Sequence, residues 1–215
     1  MKLTISDELK ELLPDFSIIA YTFSISNTLD KSATVDKMID KLNEEFVNKY
    51  DQTLITKIPI INETRNAYKK LGKDPSHTRP ACEALLRRVN QGKGLYRLGD
   101  AIDVGNVLSV YTGRSVCVVD SDKIQGDILI RRGVNESFEG INRGIINADK
   151  LICYTDELGI FGSPTSDTNR TSVKENTKNL LVMVLCFGTD LLKESEDKLL
   201  ELYKQINTKN FERIL

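Results

Sequence analysis

The apolar run Leu180–Cys186 constrains this chain most. It is far shorter than the roughly 20 apolar residues that span a bilayer, and it predicts a buried core strand. Val116–Val119, Ile128–Ile130 and Leu151–Tyr154 are shorter runs of the same kind, parted by Asp, Gly and Asn clusters, and they predict further core strands. No period of 20 to 50 residues recurs, which excludes a solenoid.

The first half of the chain has a different rhythm. Ser17–Ile25, rich in Ile, Tyr, Phe and Thr, predicts an opening strand. Val35, Met38, Ile39, Leu42, Phe46 and Val47 then recur at three- and four-residue steps, which predicts an amphipathic helix. After a linker around Thr53–Pro59 a second helix is expected over Ile60–Leu71, stopped by Gly72 and Asp74-Pro75. A third should start at Thr78 as a hydroxyl cap, with Pro80 tolerated in its first turn, and end at Gly92. Ala101–Tyr111 is helical in period despite Gly105. Leu192, Leu199, Leu202, Tyr203 and Ile206 mark a closing helix capped by Thr189 or Asp190. Helices first, strands later and a helix last predict an α+β fold.

Charge narrows the function classes. Thirty basic and 31 acidic side chains in 215 residues leave a net charge of −1, which argues against nonspecific DNA binding. The distribution is uneven. From Arg65 to Arg97 nine cations (Arg65, Lys69, Lys70, Lys73, Arg79, Arg87, Arg88, Lys93, Arg97) face two anions, Asp74 and Glu83, so nine minus two leaves +7 locally. That segment could steer toward a phosphate backbone, or it is a set of solvated helix faces. Within it Arg79, Glu83 and Arg87 form one helical row, whose plain reading is a solvated ladder worth a few tenths of a kcal/mol.

Four cysteines, Cys82, Cys117, Cys153 and Cys186, occur without a C-x-x-C pair and beside a single histidine, so neither a zinc site nor another metal site is expected. Met1–Phe16 lacks the pattern of a secretion signal, and the thiols read as reduced, in cytoplasm. Phosphate-binding loops, dinucleotide fingerprints and the G-x-S-x-G elbow are missing, so no cofactor is expected. His77 lies in a turn entering a helix, where an anion could dock or where it is simply a loop residue.

The order of the later motifs points further. Thr78-Arg79-Pro80-Ala81-Cys82-Glu83-Ala84-Leu85 with Arg88, Asp103-Val104-Gly105-Asn106 with Leu108-Ser109, then Asp120, Asp122-Lys123-Ile124, Gly126–Arg131, Asn135-Glu136, Gly159-Ile160-Phe161-Gly162 and Glu175–Leu180 follow one another over about half the chain. In this order they resemble the B3/B4 domain of the phenylalanine tRNA synthetase beta subunit, above all stand-alone proteins built from that domain. The resemblance implies packed mixed sheets flanked by helices. The expected organisation is one domain over residues 1–215, with a core at about 60–188, a strand and helix added before it and a helix after it. It also implies a pocket for an amino acid or an aminoacylated tRNA end, and no room for an aminoacylation core.

Two positions depart from the synthetase pattern. Cys117 stands where that pattern has a histidine three residues before Asp120, and Ser163-Pro164 replace a glycine and a glutamate after Gly162. A thiol is a poor substitute for a histidine base, its unperturbed pKa being about 8.5. Arg170-Thr171 fits the basic-threonine pair of the stand-alone relatives. The expected ligand-facing set is therefore Arg79, Glu83, Asn106, Ser109, Cys117, Arg131, Gly162, Arg170, Thr171 and Thr177, with Lys69, Lys70, Lys73, Arg87, Arg88 and Lys93 on RNA. Two functions stay open. One is an RNA-binding protein that recognises or deacylates aminoacylated tRNA, with His77 or Glu136 as base if it turns over. The other is a binder of a small amino-acid-like ligand or nucleoside that has lost the hydrolytic chemistry. Neither involves a membrane or DNA.

Overall fold

The computed structural model describes residues 1–215. In chain order the elements are β1 (Leu3–Ile5), α1 (Asp7–Leu12), β2 (Ser17–Ile25), α2 (Ala33–Phe46), α3 (Pro59–Leu71), α4 (Ala81–Asn90), α5 (Asp100–Thr112), β3 (Val116–Asp120), β4 (Ile128–Arg132), β5 (Ser137–Gly140), β6 (Gly144–Asn147), β7 (Ile152–Asp156), β8 (Gly159–Ser163), β9 (Ser166–Asp167), β10 (Asn179–Cys186), α6 (Leu192–Tyr203) and β11 (Thr208–Arg213). The fold is α+β.

The Leu180–Cys186 run forms the centre. β10 pairs antiparallel with β2 on one side and β3 on the other, and β11 closes the far edge beyond β2. Alternate residues of a strand face opposite sides, so Leu180, Val182, Val184 and Cys186 enter one apolar core with α2, α4, α5 and α6. Leu181, Met183 and Leu185 enter a second core, against the sheet β1-β4-β7-β8-β9 and the helices α1 and α3. That second sheet is mixed, because β1 runs parallel to β4 while its other neighbours are antiparallel. A short hairpin, β5–β6, leans on it through a bridge from Gly140 to Thr168.

Helix ends differ from expectation in two places. The residue before a proline is pushed out of the helical region, so the chain around Pro80 is extended and α4 starts only at Ala81, with no side-chain cap. Thr78 instead lies in a turn whose amide donates to the Asp74 carbonyl at 2.9 Å. α6 starts after a left-handed Leu191, again uncapped by a side chain, and the Asp190 carbonyl is taken by the buried Arg114 guanidinium. The chain also ends on a strand rather than a helix: β11 follows α6 and is largely exposed. Gly159-Ile160-Phe161-Gly162, which the resemblance places in a glycine-framed turn, lies in strand β8.

Gly105 sits inside α5 for a packing reason. A Cβ there would lie 2.5 Å from Val118 Cγ2 and 3.1 Å from Tyr203 Oη. Ala gains about 1 kcal/mol over Gly in helix propensity, but overpacking costs about 1–3 kcal/mol. G105A is expected to lower the urea midpoint with an unchanged slope; a raised midpoint would show that β3 and α6 yield freely.

Candidate functional site

The basic segment divides into paired and free cations. Glu83, 1% exposed, is clasped by the Arg65 Nη1 of α3 at 2.8 Å and the Arg87 Nε of α4 at 2.8 Å, with Arg79 Nε at 3.7 Å. This is a correction to the solvated ladder: the row is the joint between two helices. Arg65 Nη1 also donates to the Pro75 carbonyl and Arg87 Nη1 to that of Gln52, so the same guanidiniums hold the flanking loops. Arg97 is bound by Asp36, Asp100 and Asp103, and Arg88 lies over the Tyr96 ring at 3.7 Å from its centroid. Lys93 is exposed at the other end of α4. Lys69 and Lys70 in the last turn of α3 are exposed, and Lys73 just beyond donates to the Asn147 carbonyl of β6 at 3.3 Å. Exposed Lys150 lies against Gly72 in the same region. The free positive charge is thus concentrated where α3 ends against the β5–β6 hairpin.

The remaining sequence candidates are engaged separately rather than around one ligand space. Arg131 forms a bidentate pair with Glu136. That pairing, opposed by desolvation and helped by the Val134 amide, holds the Glu136 carboxyl below the usual range, which makes it a weak base. Arg170 grips Asp156 through both terminal nitrogens at 2.9 and 2.8 Å and donates to the Lys123 carbonyl. Thr177 donates to the buried Asp120 carboxylate at 2.7 Å, and Thr171 to the Phe161 carbonyl at 3.4 Å. Ser109 closes the α5–β3 turn by donating to the Arg114 carbonyl at 2.7 Å, and Asn106 is half-buried on α5. His77 is exposed, its Nδ1 2.8 Å from the Asp74 carboxylate, four residues ahead of α4. Arg79 is half-exposed.

Cys117 and Gly162 do come together, around a residue that the sequence did not single out. Asp167 on β9 is locked in place by its backbone: it pairs with Gly162 of β8, and its carbonyl accepts from the Ile141 amide at 2.9 Å. Its carboxyl lies directly over Gly162, where a Cβ would be 2.5 Å from Oδ1 and 2.9 Å from Tyr154 Cδ2. The one side chain that approaches it as a donor is the Cys117 thiol, and no cation reaches it. Asp167 is part-exposed as a residue, but its carboxyl is turned inward against Gly162 and Cys117, beside the second core. Desolvation pushes it up to about 7. Cys117 itself is buried and its thiol is held well above its ordinary value by burial and by Asp167. Tyr68 of α3 reaches Thr165, two residues from Asp167, at 3.3 Å between their hydroxyl oxygens. α3, which carries Lys69 and Lys70, thus reaches the turn between β8 and β9.

The B3/4 domain model matches residues 63–213, about seven-tenths of the chain. The chain belongs to the B3/4 domain family. The match starts on α3 and ends with β11, so it includes the lysine cluster and Asp167. Among curated proteins, the phenylalanine–tRNA ligase beta subunit of Bartonella quintana is 33% identical over 92 residues, 41% of this chain and 11% of that subunit. The Neisseria gonorrhoeae subunit is 22% identical over 124 residues, 54% of this chain and 15% of that subunit. This chain thus corresponds to a small part of those proteins. The crystal structure of an N-terminal fragment of the phenylalanyl-tRNA synthetase beta subunit from Pyrococcus horikoshii matches with a TM-score of 0.51 over 98% of this chain and 50% of that one. At 10% identity it shows a shared B3/4 fold alone.

Asp167 was missed because Ser163–Asn169 reads as turn chemistry, where Asp is ordinary. The only local hint is its placement between the apolar strand β8 and the buried Thr168.

Proposed function

We propose that this B3/4 protein binds tRNA through the lysine-bearing end of α3. One observation carries the reading: Lys69 and Lys70 in the last turn of α3, Lys73 just beyond it and Lys150 against Gly72 form one exposed basic cluster near the β5–β6 hairpin. Clustered, exposed cations suit contact with a phosphate backbone. The relationship to a tRNA ligase subunit supplies the nucleic acid. Deacylation would need water held near the ester carbonyl and a base to take its proton, and Glu136 is committed to Arg131.

Filter binding of charged and uncharged tRNA at two salt concentrations tests the reading. Affinity should fall steeply with salt, and K69E/K70E/K73E should bind about tenfold or more weakly with a shallower salt slope. Undetectable or salt-insensitive binding of both tRNAs would sink it. Incubation with a panel of mischarged tRNAs then reads turnover.

A second reading, a carrier of a small amino-acid-like ligand without tRNA contact, is favoured by Cys117 and Ser163-Pro164 at the positions where the resemblance expects the hydrolytic groups. Free amino acids and nucleosides at about 100 times Kd should then stabilise the fold by roughly 2.7 kcal/mol, with tRNA inert.

A further inference from the structure

We infer that the cleft between α3 and the α1–β2 turn is a binding site for a small zwitterion whose ammonium and carboxylate stand at opposite ends of an apolar chain. It lies apart from the ligand-facing set expected from the family resemblance. It also stands or falls separately from the tRNA reading, with which it shares only Lys70.

The cleft follows from the register of one helix. Glu63, Asn66, Ala67 and Lys70 are spaced i, i+3, i+4 and i+7, so they form one stripe of α3. That stripe faces Leu13–Phe16, the turn between α1 and β2, across a cavity of about 230 Å³ with Phe187, just after β10, in its wall. The volume is below the roughly 300 Å³ at which pockets for drug-sized ligands begin, which suits a smaller molecule. Leu13, Phe16, Ala67 and Phe187 all belong to the second core, whose edge thus becomes an apolar wall, with the Phe16 and Phe187 rings 5.1 Å apart.

Charge is set at the two ends of this wall. At one end the Glu63 carboxyl lies flush on Gly188, where a Cβ would be 2.4 Å from Oε2 and 2.7 Å from Oε1. Oε2 is closed off from solvent there and has no hydrogen-bond partner. The cation that acts on it, Arg114, is buried and donates instead to Ser195 Oγ and the Asp190 carbonyl. Asp15 and Asp190 add like charge at the same end. A carboxylate so placed lacks donors, which a ligand ammonium supplies. Lys70 stands exposed at the other end, about 10 Å along the helix axis from Glu63. An α-amino acid carries both charges on one carbon atom and cannot meet both ends. An ω-amino acid can, with its methylene chain against Phe16 and Phe187. A simple amine leaves Lys70 without a partner, and a fatty acid leaves Glu63 without one.

Norleucine and 6-aminohexanoate are isomers that differ only in where the ammonium sits, so they separate charge placement from size and composition. Titrations of the full chain, followed by NMR of the backbone amides, should give single-site binding of 6-aminohexanoate at least tenfold tighter than of norleucine or hexylamine. The largest shifts should fall at Asp15, Ala67 and Phe187. E63Q and K70A should each weaken binding by about tenfold, the loss expected for a hydrogen bond to a charged group. K70A alters an exposed side chain, so the test holds even where E63Q folds poorly. Equal or tighter binding of norleucine, shifts centred elsewhere, no binding of 6-aminohexanoate at millimolar concentration, or unchanged affinity in either folded variant overturns the inference. None of these results bears on the salt-dependent binding of tRNA.

Discussion

Asn at position 167 is expected to make the protein more stable at pH 8, by about 2 kcal/mol, and to make little difference near pH 4. Burial holds the folded Asp167 carboxyl at about 7, against 3.8 in a solvated chain. Below pH 4 the group is protonated in both states and contributes nothing. Between pH 4 and 7 the unfolded chain ionises while the folded one keeps its proton, so folding weakens as pH rises, and the full cost is present above pH 7. Roughly three pK units correspond to about 4 kcal/mol. The amide of Asn, itself poorly partnered there, returns part of that, which leaves the smaller net gain. Urea unfolding of both proteins at pH 4 and pH 8 measures it. A variant less stable than the wild type at pH 8 would mean that the carboxylate has a stabilising partner.

The opposite sign is expected at Glu83. E83A should destabilise the protein by about 3–5 kcal/mol, because it leaves the guanidiniums of Arg65 and Arg87 without their shared carboxylate at a helix joint where their side chains are 14% and 21% exposed. The loops held at Pro75 and Gln52 should loosen with it. E83Q keeps the shape and should lose less. A change below about 1 kcal/mol in E83A by urea unfolding would return the row to the solvated ladder that its spacing suggests. The two experiments contrast one buried carboxylate with cations on it and one without.

The elements legible in the sequence are those whose burial leaves a periodic trace. β2, α2, α3 and β10 have enough residues facing a core for the pattern to show, and their observed limits lie within two residues of the expected ones. α5 was legible despite Gly105, whose reason, the approach of Val118 and Tyr203, is entirely tertiary. β5, β6, β9 and β11 were not legible. They are short or sit at exposed edges, where one or two buried side chains cannot set a period. The site divides in the same way. Cys117, Gly162 and the lysines after Tyr68 could be named from motif order and charge. Asp167 could not, because its significance lies in what surrounds it.

By itself the sequence determined the α+β class, the central strand and the basic segment, since apolar period and charge are local properties that survive without knowledge of the fold. Only the tertiary structure decided which charges are free. It placed Glu83 among arginines, Arg131 and Arg170 each on a carboxylate of its own, and Asp167 against no cation at all. The physical reason is that a charge acts through its neighbours within a few ångströms and through its loss of water, and strands distant in sequence supply both.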